Sequence, residues 1–348
     1  MLKSRARIKY SLKIYIMDKE ETIHAYKGFD KDLKCKGFQY EVGKSYEQEG
    51  EIECCMNGFH ACKFPFAVFR HYVPGGNNRY CTVIQFGEMD EDGEDSKIAS
   101  SNIHIDEEIG IDGIIEAGIK CILDHKVHTD DNESSDSEER STATNKSGDG
   151  AAKNSDFQSG ALSVGDYSLA TAFGYYSLAA NTGDRSIAKN IGFQSVSANA
   201  GCYSAAINDG DCSIASNAGH GSVSVNKGGY SAALNTGADS VAMSKGFYSV
   251  SVNTGCDSAA ISNGLCSVAV GVGIGSLAKV SGPESIAFVA SDGGKAAGAL
   301  GDWIVLTERG ERNGDTYPIK EVKAFKVDGK KIKADTFYKL VNGEAVEA

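Results

Sequence analysis

The chain has 348 residues, of which 41 are glycine and only 4 are proline, and it carries a formal net charge of -12. The length accommodates two or three domains, and so much glycine with so little proline argues against collagen and against proline-rich disorder. With 35 basic and 47 acidic residues, the composition disfavours nucleic-acid binding, which depends on clustered Lys and Arg to neutralise phosphates. We therefore expect no nucleic-acid partner.

Residues 1–17 are basic and contain only short apolar patches. A secretory signal has a continuous apolar core and a small-residue cleavage site, and a membrane helix needs at least 18 apolar residues in succession. We interpret this segment as a basic extension and expect no membrane association, while translation from Met1 or from Met17 stays open. The ten cysteines are scattered along the chain, which is typical of reduced thiols in a cytosolic protein.

Residues 18–128 are predicted to form an α+β domain. Strand-like runs occur at 22–26, 38–42, 79–86 and 98–105, with helices expected at 65–72 and 112–123. This region also holds a possible metal set. The thiols of Cys54, Cys55 and Cys62 together with His60 offer zinc-type ligands, but the spacing is not a usual one for zinc, and we favour a buried thiol cluster without metal.

An acidic tract at residues 129–146 follows this domain and contains a single apolar residue, Ala143. Such a composition cannot bury enough apolar surface to offset the entropy of ordering. It is typical of a flexible linker, and we expect disorder there.

Glycine then recurs every nine residues from Gly165 to Gly282, fourteen times without interruption. Serine follows three residues after each glycine, and Ala or Ser follows two residues after each serine. The unit is G-x-x-S-φ-[AS]-x-x-x, numbered here from one at the glycine to nine, with asparagine at position eight in eight copies. Representative repeat residues are Gly165, Ser168, Asn181, Gly192, Ser195, Asn208, Gly219, Ser222, Gly246 and Ser249.

Nine residues are too few for a helix pair and suit one short strand with a corner. Alternation after the serine favours a strand, glycine is expected to supply the corner conformations, and stacked asparagines form side-chain ladders. We therefore predict a mainly β protein with a parallel β-solenoid at residues 147–290.

The number of sides in each coil is tested by the spacing at which variable positions resemble one another. When every third unit is compared, position five holds residues of similar size, such as Leu169, Val196 and Val223. In the set of units where position five is alanine, position seven is a large residue. This reciprocal sizing predicts that positions five and seven face inward and favours a three-sided, 27-residue coil. Duplication of a three-unit segment would give the same pattern, so a two-sided, 18-residue coil stays the alternative.

The repeat carries no column of charged side chains. A calcium-binding nonapeptide roll needs an aspartate in every unit, and none recurs here, so we expect no calcium. After the solenoid, residues 291–348 are predicted to be a small β cap, with hairpin turns at 328–329 (Asp-Gly) and 342–343 (Asn-Gly).

Several segments resemble an uncharacterised family of phage and prophage proteins. The resemblance lies in AYKGFDKDLKCKGFQYEVGK, NGFHAC, IASSNIHIDEEIGIDGIIEA and the ending GDWIVLTERGE…YPIKEVKAFKVDGKKIKADTFYKL. Members of that family combine an N-terminal domain of unknown function with Gly-Ser-Ala-Asn repeats and this tail. The resemblance implies no activity and no catalytic residues.

A second resemblance concerns chemistry. Tyr26, in the sequence Tyr-Lys-Gly, and His60, in Gly-Phe-His, are similar to scattered nucleotide-pocket motifs of ADP-ribosyltransferases. That likeness implies a carboxylate that stabilises an oxocarbenium ion, for which Glu107, Glu108 and Glu116 are the candidates.

Together these observations predict a non-enzymatic phage or prophage structural or interaction protein. A small recognition domain is carried on a rigid solenoid that binds a host or viral macromolecule or a second copy of itself. We expect no cofactor and a location in the host cytoplasm or on the virion. The alternative is a nucleotide-using enzyme of the ADP-ribosyltransferase type, displayed on the solenoid.

Overall fold

The computed structural model describes residues 21–74, 76–91, 96–126, 133–136, 141–146, 150–314 and 317–348. The chain divides into two compact units, one formed by Met1–Tyr72 with Asn77–Gly118, the other by Val73–Gly76 with Ile119–Ala348. The basic extension expected at residues 1–17 lies outside the described residues.

The first unit is an α+β domain, as predicted. Its elements are β1 (Ile23–Phe29), β2 (Lys34–Cys35), β3 (Phe38–Gln39), β4 (Ser45–Glu47), β5 (Phe59–Cys62), a 3-10 helix (Pro65–Arg70), β6 (Arg79–Glu91), β7 (Lys97–Glu108) and the first half of α1 (Gly110–Lys126), up to Gly118. The five longer strands pair in the order β4-β7-β5-β1-β6, and β7 also pairs with β6, which closes the sheet around a core. The expected strand at 38–42 is only the short β3, half of a two-stranded hairpin with β2.

The core of this domain follows from alternation along its strands. Ala25, Lys27 and Phe29 of β1 are all buried on one face. On the other side of the strand, a Cβ at Gly28 would overlap the ring of Tyr72, so only glycine allows this close approach. Burial of the apolar positions stabilises the domain, since each large side chain removed from water contributes about 1.5–3 kcal/mol.

Short strands of three or four residues make up the solenoid. They are β8 (Glu133–Asp136), β9 (Thr142–Asn145), β10 (Ala151–Asn154), β11 (Gly160–Ser163), β12 (Leu169–Ala172), β13 (Leu178–Asn181), β14 (Ile187–Asn190), β15 (Val196–Asn199), β16 (Ala205–Asn208), β17 (Ile214–Asn217), β18 (Val223–Asn226), β19 (Ala232–Asn235), β20 (Val241–Ser244), β21 (Val250–Asn253), β22 (Ala259–Ser262), β23 (Val268–Gly271), β24 (Leu277–Val280), β25 (Ile286–Val289) and β26 (Lys295–Ala297).

Each coil of the solenoid has two sides and contains two repeat units. Asn181 pairs in register with Asn199, and Asn190 pairs with Asn208. Successive solenoid strands alternate between a twelve-stranded and an eleven-stranded sheet, and they pair in parallel within each sheet. The favoured three-sided, 27-residue coil is therefore wrong, and the two-sided, 18-residue alternative is correct. Stacked strands are two units apart, so contact between coils does not explain why residues three units apart resemble one another. Duplication of a three-unit segment accounts for that resemblance.

Position six, rather than five and seven, faces inward between the two sheets. Ala170, Ala179 and Ala188 are completely buried and pack in one cluster drawn from both sheets. On the eleven-stranded sheet, Leu178 and Ile214 at position five are exposed. The prediction that positions five and seven point inward is wrong there. The two sheets lie close enough for alanine or serine to fill the space between them.

The repeat glycine is needed for close approach rather than for a corner conformation. A Cβ on Gly201 or Gly219 would overlap the carbonyl oxygen of the glycine one coil earlier. The left-handed backbone conformation instead falls on position three, for example at Tyr176 (φ 57°) and Arg185 (φ 51°). The expectation that glycine supplies the corner torsion is thus corrected for most of the repeat.

Serine and asparagine satisfy the buried backbone at the corners. The backbone N–H of Ser195 donates to Oγ of Ser213 at 3.0 Å, one coil later. Asn208 donates from Nδ2 to the carbonyl of Ser195 at 3.1 Å and accepts from the N–H of Gly210 at 3.0 Å. Since an unpaired buried polar group costs about 1–3 kcal/mol, these ladders explain why both residue types recur.

The stretch expected to be a flexible linker contains two strands. β8 pairs in parallel with β10, and β9 pairs in parallel with β11. Around β9 the sequence from Ser141 to Asn145 reads S-T-A-T-N, which keeps the serine, alanine and asparagine of the repeat, and Ala143 is buried. The polar composition of residues 129–146 made this match to the repeat hard to see in the sequence. The paired strands therefore begin before residue 147.

The C-terminal residues continue both sheets and then end them. Their strands are β27 (Trp303–Arg309), β28 (Ile319–Lys326), β29 (Tyr338–Val341) and β30 (Glu344–Glu347). β27 pairs in parallel with β25 and antiparallel with β28, while β29 pairs antiparallel with β26 and β30. The resulting outer edges carry Lys and Glu, which discourage further strand addition.

Of the two predicted hairpin turns, one is correct. Asn342 (φ 49°) and Gly343 (φ 75°) join β29 to β30. Asp328 and Gly329 form a turn in which the Asp328 carboxylate accepts from two backbone N–H groups. That turn connects strands of different sheets, so its prediction as a hairpin is wrong.

Candidate functional site

The two motifs similar to ADP-ribosyltransferases lie on neighbouring strands of the N-terminal domain. Tyr26 of β1 is the register partner of Cys62 on β5, the strand that also carries His60. Lys27 donates from Nζ to the carbonyl oxygen of His60 at 2.6 Å. The structure thus brings Tyr26 and His60 onto adjacent strands, with Lys27 linking them.

Lys27 is the feature that the sequence reasoning missed. Its side chain is only 5% exposed, and Nζ lies 5.5 Å from the ring centre of Phe29 and 5.6 Å from that of Tyr40. Burial lowers the pKa of Lys27, and the neighbouring Cys35 partly opposes that shift. A signal was present in the sequence, because Lys27 occupies the same strand phase as Ala25 and Phe29 and therefore the core.

His60 has both ring nitrogens engaged by the backbone. Nε2 accepts a hydrogen bond from the N–H of Cys55 at 2.8 Å, and the ring also hydrogen-bonds the backbone of Gly58. Burial and the nearby Lys27 lower the pKa of His60. The neutral ring therefore fastens the turn that precedes β5, and it lacks a nitrogen lone pair free to bind zinc.

The proposed zinc ligands do not converge. Cys54 directs its sulfur toward the carbonyl of Lys97 at 3.9 Å, and Cys55 receives a hydrogen bond from Nζ of Lys97 at 3.4 Å. Cys62 is buried at the end of β5. Within the described ranges, no group of three or more His, Cys, Asp or Glu side chains is placed to hold a metal ion.

The candidate carboxylates lie at the far end of β7 and on α1. Glu108 accepts a hydrogen bond from Nε of Arg79 at 2.8 Å, and the guanidinium holds the pKa of Glu108 below its usual range. The backbone N–H of Glu107 donates to Oγ1 of Thr82 at 3.2 Å. Glu116 is exposed on α1. The register nevertheless aligns Lys27, Cys81 and Glu108 across three strands.

A second candidate site is the outer face of the eleven-stranded sheet, called here the exposed face. It is formed by positions five and seven of β11 to β25 and is continued by β27 and β28. Leu178, Ile214 and Ile286 are 45%, 40% and 41% exposed. No charged side chain occupies positions five and seven of this sheet between β11 and β25. Their counterparts on the twelve-stranded sheet, such as Val223 and Val241, are buried.

One corner edge of the solenoid carries aromatic rings. Tyr230 stacks on Tyr248 with ring centres 5.3 Å apart and packs edge-on against Phe247 at 5.2 Å. Tyr175 contacts Phe193 further toward the N-terminus, with a tilted arrangement of the rings. These rings lie at positions two and three, so they follow one another from coil to coil.

The fold and these surfaces define a β-solenoid protein that carries a separate α+β domain. Residues 23–117 match the family model described as a domain of unknown function, DUF7666. No curated protein matches the chain, and no solved structure matches it. Among the described residues, no helix combines the length and the apolar character that a membrane crossing requires.

Proposed function

We propose that the protein is a non-enzymatic structural or interaction protein of a phage or prophage. The rigid solenoid carries the N-terminal domain and binds another protein surface, in the first instance a second copy of this chain. The resemblance to phage proteins supports the setting, in the host cytoplasm or on the virion. The observation that carries the proposal is the apolar exposed face, which has no charged side chain at positions five and seven from β11 to β25.

The size of this face suits a dimer. The ten strands of this face, at a spacing of about 4.8 Å, span roughly 43 Å, and a four-residue strand is about 13 Å long. The product, roughly 560 Å², is close to the lower end of what one partner of a standard-size specific interface buries, about 600 Å². It also lies in the upper part of the range that the largest apolar patch on a monomer covers, about 300–600 Å², and such patches are often functional.

The chemistry of the face favours a copy of itself. A two-fold symmetric interface brings the same surface together from both partners. Like charges would then oppose one another, but the face has none between β11 and β25. Trp303, which is 45% exposed, and Val322, which is 49% exposed, extend the apolar surface to β27 and β28, where the exposed Lys326 lies opposite Trp303. Large aromatic side chains are enriched at protein interfaces.

Light scattering of the full chain tests the proposal. We expect a dimer, and we expect Ile214→Asp to weaken it by more than about tenfold, because the variant would bury an unpaired carboxylate. Asn263→Asp is the matched control, since it adds the same charge at an exposed corner and keeps the acceptor for Ser281. A wild-type monomer at the highest attainable concentration would refute self-association.

One observation favours a nucleotide-using enzyme as the second candidate function. Tyr26 and His60 lie on adjacent strands, next to the buried Lys27. Calorimetry of the full chain with NAD tests it. An ADP-ribosyltransferase-like site predicts binding that His60→Ala abolishes and that His24→Ala, an exposed change on β1, leaves intact. If the wild type does not bind NAD, this candidate is excluded.

A further inference from the structure

The amine of Lys27 lies beside a thiol inside the N-terminal domain. Nζ is 3.7 Å from Sγ of Cys35 and donates a hydrogen bond to it. Cys35 ends β2, and the two-residue turn of Lys36 (φ 48°) and Gly37 (φ 82°) returns the chain into β3. This hairpin therefore places the sulfur against the buried amine.

Access distinguishes Cys35 from the other thiols near Lys27. Cys62 and Cys81 are 3% and 0% exposed, whereas Cys35 is only half-buried. Oxidation of a cysteine by a small oxidant requires that the oxidant reach the sulfur. Hydrogen peroxide would therefore react with Cys35 before the two deeper thiols.

The surroundings also prepare the amine. Burial lowers the pKa of Lys27, so a larger fraction of its side chain is neutral and has a nitrogen lone pair to share. The phenol of Tyr72 hydrogen-bonds Cys35 and helps to hold the sulfur next to that nitrogen. An electrophilic sulfur at this position would have a nucleophile already in contact.

We propose that Lys27 and Cys35 form a reversible sulfur–nitrogen bond, a sulfenamide, when the protein meets hydrogen peroxide. The sulfur first attacks the peroxide, whose O–O bond breaks, to give the sulfenic acid and one water. The nitrogen of Lys27 then attacks the sulfur and displaces the hydroxyl, which leaves as a second water with a proton from the amine. Two equivalents of an added thiol reverse the bond and become a disulfide.

The bond would join β1 to the hairpin of β2 and β3. That hairpin carries Phe38, which is 47% exposed and packs against Tyr40 and Phe59 of the core. An oxidised protein would thus hold the hairpin covalently on the domain. The sulfur would also be protected from further, irreversible oxidation.

The same domain contains a matched control pair. Nζ of Lys97 lies 3.4 Å from Sγ of Cys55, closer than in the Lys27 pair, but this pair is exposed to water. If distance alone decided the reaction, Lys97 and Cys55 would crosslink more readily. If burial decides it, as we propose, Lys27 and Cys35 crosslink and the exposed pair does not.

Mass spectrometry of the full chain, treated with hydrogen peroxide and alkylated, tests the proposal. Trypsin cuts after Lys31, Lys34 and Lys36, so it separates the peptides of Lys27 and Cys35 and leaves Cys62 on a third peptide. We expect a linked species lighter than the two peptides combined by two hydrogens, with a yield that rises with pH and is lost on thiol treatment. A Cys35–Cys62 disulfide, a Cys35 sulfinic acid alone, or an equal yield at Lys97 and Cys55 would overturn the proposal.

Variants separate the roles of the neighbouring groups. Lys27→Arg and Cys35→Ser should each abolish the linked species, and Cys62→Ser should leave its yield within about twofold of the wild type. Loss of the linked species in Cys62→Ser would show that Cys62 takes part in the reaction, and it would reject direct attack of Lys27 on the oxidised Cys35. The wild-type experiment alone decides whether the sulfenamide forms. The test therefore remains valid even if one of the variants fails to fold.

Discussion

Gly219→Ala is expected to destabilise the solenoid by about 4 kcal/mol or more, in the range that only severe defects reach. A Cβ at Gly219 would overlap the carbonyl of Gly201 and approach the N–H of Cys202 at 2.8 Å. Both obstacles are backbone, so no side-chain rotation relieves the overlap. The coils would have to separate, which would lengthen the hydrogen bonds of both parallel sheets locally.

Denaturant titration followed by circular dichroism measures this effect, with the far-ultraviolet signal reporting the sheets. Gly310→Ala is the matched control, since a Cβ there meets only Pro318 at 3.5 Å or more and its backbone lies outside the left-handed region. We expect the control to change the free energy of unfolding by less than about 0.5 kcal/mol. If Gly219→Ala and Gly310→Ala are equally stable, the spacing between coils does not require glycine at position 219.

Repeat proteins respond to such a defect in a particular way. Each coil contacts only its neighbours, so stability is nearly a sum of local terms, and unfolding can divide at a weak interface. Gly219 lies far from both ends of the repeat. A broadened or two-step transition in Gly219→Ala, beside a single transition in the wild type, would place the break between the coils of Gly201 and Gly219.

The sequence is sufficient to predict the period, the parallel strands and most elements of the N-terminal domain. Each of these depends on local patterns, such as the nine-residue recurrence of glycine and the Asn342-Gly343 turn. Coil size is different, because it depends on which residues meet across coils. The recurrence of cysteine at Cys202 and Cys256, six repeat units apart, fits two three-sided coils as well as three two-sided coils.

One pattern in the sequence could have decided the coil size. Position six is Ala or Ser in every copy, and a core lined by such small residues is only wide enough for two sheets in close contact. The candidate site was harder to predict. Lys27 is on a core-facing strand position, but its contact with Cys35 depends on how a separate hairpin folds over β1.

The asparagine ladder gives the second large effect. Asn208→Ala leaves the buried N–H of Gly210 without its partner, and it removes one of the two hydrogen bonds to the carbonyl of Ser195, which still accepts from the N–H of Ile214. At about 1–3 kcal/mol for an unsatisfied buried group, we expect a loss of roughly 1–3 kcal/mol in the free energy of unfolding. Thr254→Ala, at an exposed corner, is the control and should have little effect.

Asn208→Ser sharpens this test because the repeat itself contains the substitution. Ser244 occupies position eight in β20 and donates to the carbonyl of Val250 at 3.0 Å, as Asn208 does to Ile214 at 3.3 Å. A serine at 208 therefore restores one of the three hydrogen bonds, and its stability should fall between that of Asn208→Ala and the wild type. If alanine and serine are equally destabilising, the hydrogen bond to the Ile214 carbonyl adds nothing to stability, because that is the only bond that serine restores. A graded order in denaturant titration, with alanine lowest, confirms that this hydrogen bond of the ladder stabilises the solenoid.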